Sequence, residues 1–283
     1  MKTIFLGPYG ATFSHDAYTE LARTYGALPT AEFNYLEATT NSKILDLAVA
    51  HQSYATIAME TRAGGRVAEP VESFIKLLHR PCPIHVIGAL TMKIGFCLMG
   101  KVSHAVHGRK ILAHPKAFEA CKQSLEIVGK PTMETSSNGE AARLVSQNLS
   151  YGDCLALGPA SAAEKYGLTI FNPHFEYNEA FTTFFLIGPK SHPVKVGKKN
   201  RVLIVYKVPH EPGALVKSLL PFDEQGLNLI HIHSVHAGNC TYNFAIELDV
   251  DESQLEAFAL AKQKFDAFVD THLCFGPFEV LSE

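Results

Sequence analysis

Residues 189–199, PKSHPVKVGKK, break an otherwise apolar and periodic chain with glycine, proline and four lysines. A stretch of that composition cannot fill a core, so it marks a linker between two folding units. The longer unit before it alternates strand-like and helix-like segments. Residues 2–6 read as a strand closed by Gly7-Pro8-Tyr9-Gly10, and 14–25 carry apolar residues at helical spacing with Ser14 as cap. Further on, 44–51 and 69–78 read as helices around a buried strand at 54–59, before Pro81 and Pro83. Strands at 84–90, 94–98, 154–157 and 181–188 then alternate with helices at 116–124, 139–147 and 159–166. Such alternation predicts α/β layers with crossover connections. After the linker the order is strand, helix, strand, strand, helix, strand over 202–281, the βαββαβ order of a ferredoxin-like domain.

A chain of 283 residues can build two cores, and 47% hydrophobic with 19% charged residues lies far from disordered composition. A net charge of −3 and a pI near 6.5 leave no basic footprint for nucleic acid. The basic run 195–201 falls in the linker and reads as solvated. The first apolar burst stops at Gly7-Pro8, too short for a signal-peptide core or a membrane span, so a cytoplasmic protein is expected. Six scattered cysteines without a CxxC pair read as reduced thiols. His231 and His233 fall on one strand face near His236, but no third ligand is evident, and no metal is expected. No dinucleotide fingerprint, P-loop, G-x-S-x-G elbow or HExxH occurs, so no cofactor is expected.

Four separated segments carry a resemblance: GPYGATFSHDAY near the N-terminus, HPKAFEAC at 114–121, the Ala-rich helix ending in YGL at 166–168, and HEPGAL followed by GLNLIHIHS. Together, and in this order, they resemble the prephenate dehydratase family. The resemblance implies a two-lobed catalytic domain over 1–190, built like a periplasmic binding protein with the site between the lobes. One lobe would hold about 1–80 with 170–190, and the other 84–169. A linker at 191–200 and an ACT-type regulatory domain at 201–283 would follow, in a homodimer or homotetramer, with an amino-acid effector at the ACT domain.

The chain departs from the family at its motifs. The Thr-Arg-Phe triplet reads Thr182-Thr183-Phe184, and Glu-Asn-Ser reads Glu60-Thr61-Arg62. Gly213-Ala214-Leu215 keeps the effector loop, yet the Glu-Ser-Arg-Pro segment has become His233-Ser234-Val235-His236, which places phenylalanine feedback in doubt. Prephenate carries two carboxylates, for which arginine is the usual bidentate anchor. Arg62 is therefore a candidate replacement for the lost arginine, or else a solvent-facing loop residue. Thr182, Thr183, Glu60 and Arg62 form the candidate catalytic set. Thr12, Ser14, His15, His114, Ser137, Asn138 and Phe184 are candidate substrate contacts, with Ser14, Ser137 and Asn138 read equally as helix caps. Gly213, Ala214, Leu215 and Ser234 are the candidate effector contacts. With the triplet altered, the leading expectation is a prephenate lyase that releases CO2 and retains the ring hydroxyl. The alternatives are a dehydratase making phenylpyruvate and a non-catalytic sensor of small carboxylates.

Overall fold

The computed structural model describes residues 2–26, 28–29, 34–61, 65–66, 68–238, 241–269 and 271–282. Strand β1 (Thr3–Leu6) buries Ile4 and Phe5, and helix α1 (Phe13–Tyr25) starts after Thr12. Thr12, rather than Ser14, is the cap: its hydroxyl accepts from the His15 amide at 3.4 Å and donates to the Leu6 carbonyl at 2.9 Å. Ser14 instead sits inside the first turn and donates to the Thr56 carbonyl at 2.9 Å, tying α1 to the neighbouring strand. β2 (Tyr35–Ala38), α2 (Asn41–His51), β3 (Tyr54–Thr61), β4 (Gly65–Arg66) and α3 (Ala68–Lys76) complete this part of the first lobe. β1 lies parallel to both β2 and β3.

Strand β5 (Ile84–Ile94) is one strand where the sequence pattern suggested a break after Leu90. Thr91, Met92 and Lys93 stay extended because each pairs with a distant partner, Thr183, Thr182 and Phe181. The second lobe consequently begins at β6 (Cys97–Gly100), not at residue 84, and runs through β7 (Ile111–Ala113), α4 (Pro115–Ala120), α5 (Lys122–Val128), β8 (Thr132–Glu134), α6 (Asn138–Gln147), β9 (Leu155–Gly158), α7 (Ala160–Tyr166) and β10 (Thr169–Asn172). Its five strands lie in the order β10-β6-β9-β7-β8. β11 (Ala180–Pro189) then returns to the first lobe between β3 and β5.

The C-terminal part comprises β12 (Lys199–Lys207), α8 (Ala214–Asp223), β13 (Asn228–His236), β14 (Tyr242–Asp251), α9 (Leu255–Phe268) and β15 (Thr271–Ser282). Its strand order, β13-β14-β12-β15, is the ferredoxin-like one. It does not hang on a free tether. The end of β15 pairs in parallel with β5, Val280 against Ala89, so one sheet runs from β13 through β5 and β11 to β2. The basic linker is likewise pinned: the Lys195 amide donates to the Ile87 carbonyl at 3.1 Å and the Lys195 carbonyl accepts from Glu279 at 2.7 Å.

Because side chains alternate along a strand, β11 serves two cores. Phe184 and Leu186 pack with α1 and residues of the second lobe, including Leu157 and Ala117. Phe185 and Ile187 pack with α2, α3 and the C-terminal residues Leu203, Val205, Phe275 and Phe278. The two lobes are closed on one another. Ser137 donates to the Gly7 carbonyl at 2.7 Å, Ser161 to the Asp16 carboxylate at 3.0 Å, and the Lys165 ammonium to the Tyr9 carbonyl. Gly139 is a point of close approach between the lobes, since a Cβ there would lie 2.5 Å from the Ala11 carbonyl oxygen and 2.9 Å from Pro8. Gly139→Ala is expected to lower stability by about 1–3 kcal/mol in urea unfolding, whereas Gly152→Ala, a site with room, should stay within about 0.5 kcal/mol. Equal effects would mean that the lobes are not in close contact at Gly139.

Candidate active site

Between the lobes lies a cavity of about 150 Å³. The first lobe lines it with Thr12, Ser14, Thr61, Thr182 and Phe184, and the second with His114, Lys116, Glu119, Ser137 and Asn138. Leu6, Phe13, Ala58, Ile94 and Phe96 make much of the remaining wall apolar. Two helices of ten residues or more begin at this cavity, α1 from the first lobe and α6 from the second. The amides of Phe13 and Ser14, and of Asn138 and Gly139, fall in first turns and so have no acceptor within their own helix. Facing helix N-termini favour anions, here from both walls of one cleft.

The polar side chains are held by each other's backbone. Ser14 and Thr56 stand 3.0 Å apart through their hydroxyls, and Thr56 donates to the Ser14 carbonyl at 2.6 Å. Ser137 caps α6, accepting from the Glu140 amide at 3.0 Å. The Asn138 side-chain oxygen Oδ1 accepts from the His114 amide at 2.9 Å. His114 caps α4 with Nδ1, which accepts from the Lys116 amide at 3.2 Å, so a neutral ring carries its proton on Nε2. Burial pushes the His114 pKa below its ordinary value, and the neighbouring Lys116 ammonium adds to the shift. Lys116 and Glu119 pair at 2.8 Å, so the cation and anion in the lining offset each other.

A family model for prephenate dehydratase matches residues 3–192, about two thirds of the chain. The chain belongs to the prephenate dehydratase family. Family membership makes it a lyase. A prephenate dehydratase of Methanocaldococcus jannaschii is 28% identical over 192 residues, covering 66% of this chain and 69% of that protein. Among solved structures, the prephenate dehydratase of Arthrobacter aurescens in complex with L-Phe superposes with a TM-score of 0.79 at 23% identity, covering 99% of this chain and 90% of that one. The quorum-quenching acylase GqqA superposes with a TM-score of 0.75 at 20% identity, covering 100% and 98%. At such identities the structures speak for the fold alone.

With the family's motifs placed on the fold, the candidate residues divide. Thr182 and Phe184 of the triplet, together with Thr12, Ser14, His114, Ser137 and Asn138, line the cavity. Thr183 and Glu60 do not. They pair across β11 and β3, as do Thr182 and Thr61, and residues paired this way share a face of the sheet. Thr61 and Thr182 face the cleft, so Glu60 and Thr183 project from the opposite face, where the Thr183 hydroxyl lies 2.9 Å from that of Thr91. Position 183 is therefore not a cleft anchor, and arginine there would not project into this cavity. His15 is also displaced. Its ring stands edge-on to Phe5 at 5.2 Å and to Tyr9 at 4.6 Å. Arg62 lies outside the described residues. Thr61, Lys116, Glu119 and Phe96 were missed as cavity residues; period-two alternation from Glu60 marks Thr61, whereas the second-lobe residues needed the lobes to close.

In the C-terminal part, Gly213, Ala214 and Leu215 line a separate cavity of about 240 Å³ with His210, Glu211, Thr241 and Tyr242. Ser234 is not among its lining residues and is exposed on β13. His231 Nε2 sits 3.3 Å from Glu60 Oε1 instead of in a histidine cluster, and among the described residues no group of three His, Cys, Asp or Glu side chains is placed to hold a metal. Among the described residues no helix is long and apolar enough to cross a membrane.

The lowered pKa of His114 has a consequence for stability. An unfolded imidazole takes up its proton near pH 6.5, while folded His114 resists it, so between the lowered value and about 6.5 the unfolded state binds more protons. The stabilisation is fully present above that window and is lost as pH falls through it. Burial shifts His85 and His192 in the same direction, so both add to the same fall. His114→Asn keeps a capping oxygen and should flatten the fall of the urea midpoint between about pH 7 and about pH 5. An unchanged slope would show that His114 titrates normally.

Proposed function

We propose that this chain is a prephenate dehydratase that forms phenylpyruvate in the cleft between its lobes. The observation that carries the reading is that Thr182 lines the cleft while Thr183 projects from the opposite face of the same strand. The altered triplet thus keeps its cleft-facing hydroxyl and its Phe184, and the change falls on the side chain that faces away. The first expectation, decarboxylation with the hydroxyl retained, took the loss of arginine as loss of a substrate anchor. Strand alternation speaks against that premise, and the curated relatives are dehydratases.

In the reaction the ring carboxylate leaves as CO2, and the electron pair of that bond moves through the diene to expel the hydroxyl on the far side of the ring. The hydroxyl takes up a proton and departs as water, leaving an aromatic ring. The chain's own residues fit three tasks. The first-turn amides of α1 and α6 receive carboxylates, the apolar wall of Phe13, Phe96 and Phe184 holds the ring, and the Thr182 hydroxyl donates a hydrogen bond to the leaving oxygen. An apolar wall also favours loss of charge, since CO2 is neutral where the carboxylate was not. The C-terminal cavity beside Gly213 is the candidate amino-acid effector site, and assembly into a homodimer or homotetramer follows from the family resemblance.

Incubation of the purified chain with prephenate, with the product identified by ultraviolet spectrum and mass, tests the reading. Phenylpyruvate is expected, and Thr182→Val should lower kcat by roughly 10²- to 10⁴-fold. A product that has lost CO2 but kept its hydroxyl would restore the decarboxylase, and binding without turnover would indicate a sensor.

A further inference from the structure

The face of the C-terminal sheet that packs on the first lobe is apolar at Leu203, Val205, Phe275 and Phe278 but carries charge at one end. Arg201, near the start of β12, has only 13% of its side chain exposed and meets three carboxylates. Its guanidinium lies 3.5 Å from Glu60, 3.7 Å from Glu247 and 3.4 Å from Asp249. Glu247 and Asp249 belong to the same domain as Arg201, but Glu60 belongs to β3 of the catalytic part. The other oxygen of Glu60 is 3.3 Å from His231 Nε2 on β13. Both oxygens of the Glu60 carboxylate thus lie within ion-pair distance of side chains of the C-terminal domain.

What Glu60 holds gives this contact its meaning. Glu60 pairs with Thr183, and the next residue, Thr61, pairs with Thr182; both of the latter line the cleft. Immediately beyond, the ladder between β11 and β3 shifts register between Thr183 and Phe184. Beyond that irregularity both strands are paired on both edges, Thr182 and Thr183 also with Met92 and Thr91 of β5 and Glu60 and Thr61 with Arg66 and Gly65 of β4, so a displacement of Glu60 is passed directly to Thr61 and Thr182. We propose that Arg201 and His231 are positioning residues for the reaction: by clamping Glu60 across the domain boundary they fix the 60–61 and 182–183 segments, and with them the cleft hydroxyls. The C-terminal domain is on this account part of the catalytic framework, independently of anything bound to it.

The proposal rests on the dehydratase reading only for its kinetic readout. Arg201 also balances Glu247, which is 1% exposed, so its removal endangers folding. Glu60→Gln in the full chain is the cleaner variant, because it leaves Arg201 with Glu247 and Asp249. With prephenate, Glu60→Gln is expected to lower kcat roughly 10- to 100-fold with KM nearly unchanged. Arg201→Lys should do the same, and the double variant should be no worse than the poorer single one. Backbone amide exchange, which needs no substrate, should quicken at residues 60–61 and 182–183 in Glu60→Gln while the rest of β3 and β11 stays protected. Wild-type kcat together with wild-type exchange would overturn the clamp, as would a rise in KM at constant kcat. If the unaltered chain does not act on prephenate, the dehydratase reading fails, and amide exchange alone decides the clamp.

Discussion

The antiparallel pairing of β5 with β11 is the constraint on which the rest of the molecule depends. β11 brings the chain back from the second lobe and lies between β5 and β3, so both crossings between the lobes start or end on this pair. β5 in turn accepts the end of β15 in parallel register. A strand flanked on both sides has its backbone donors and acceptors satisfied on both edges, which removes the freedom to slide. The second lobe, the first lobe and the C-terminal domain are therefore referred to one rigid element.

From that element follows the division of labour across the sheet. One face of β11 sends Thr182, Phe184 and Leu186 toward α1 and the cleft, and the other sends Thr183, Phe185 and Ile187 toward α3 and the C-terminal domain. Chemistry and its support occupy opposite faces of the same strand, a separation of one residue. The altered family motifs are intelligible in these terms. A change at 183 touches what lies behind the cleft, where Arg201 brings a guanidinium from another domain to Glu60. A change at 61 touches the cleft itself.

The charge arrangement is consistent with this layout. The cleft places a paired lysine and glutamate, a neutral histidine and helix N-termini around an apolar wall. The interdomain face gathers Glu60, Glu247 and Asp249 about one arginine, and of the three carboxylates only Glu247 is fully buried and so depends on that partner.

The sequence by itself determined the alternation of strands and helices, the βαββαβ order after residue 199, and, through four ordered motifs, the family. These follow from local periodicity and from residue types that a backbone conformation demands, as with Gly213, whose φ of 78° is left-handed. It also placed Thr12, Ser14, Ser137, Asn138, His114, Thr182 and Phe184 among the candidates that the fold gathers into one cavity. Only the tertiary structure decided which face each neighbour took. Glu60 and Thr183 read as cleft residues because motif membership says nothing of side-chain direction, and that direction is set by the register of β3 against β11. The single length of β5, the docking of β15 and the meeting of Arg201 with Glu60 each join residues far apart in the chain. Such contacts are chosen by packing and charge balance over the whole molecule, and no local pattern encodes them.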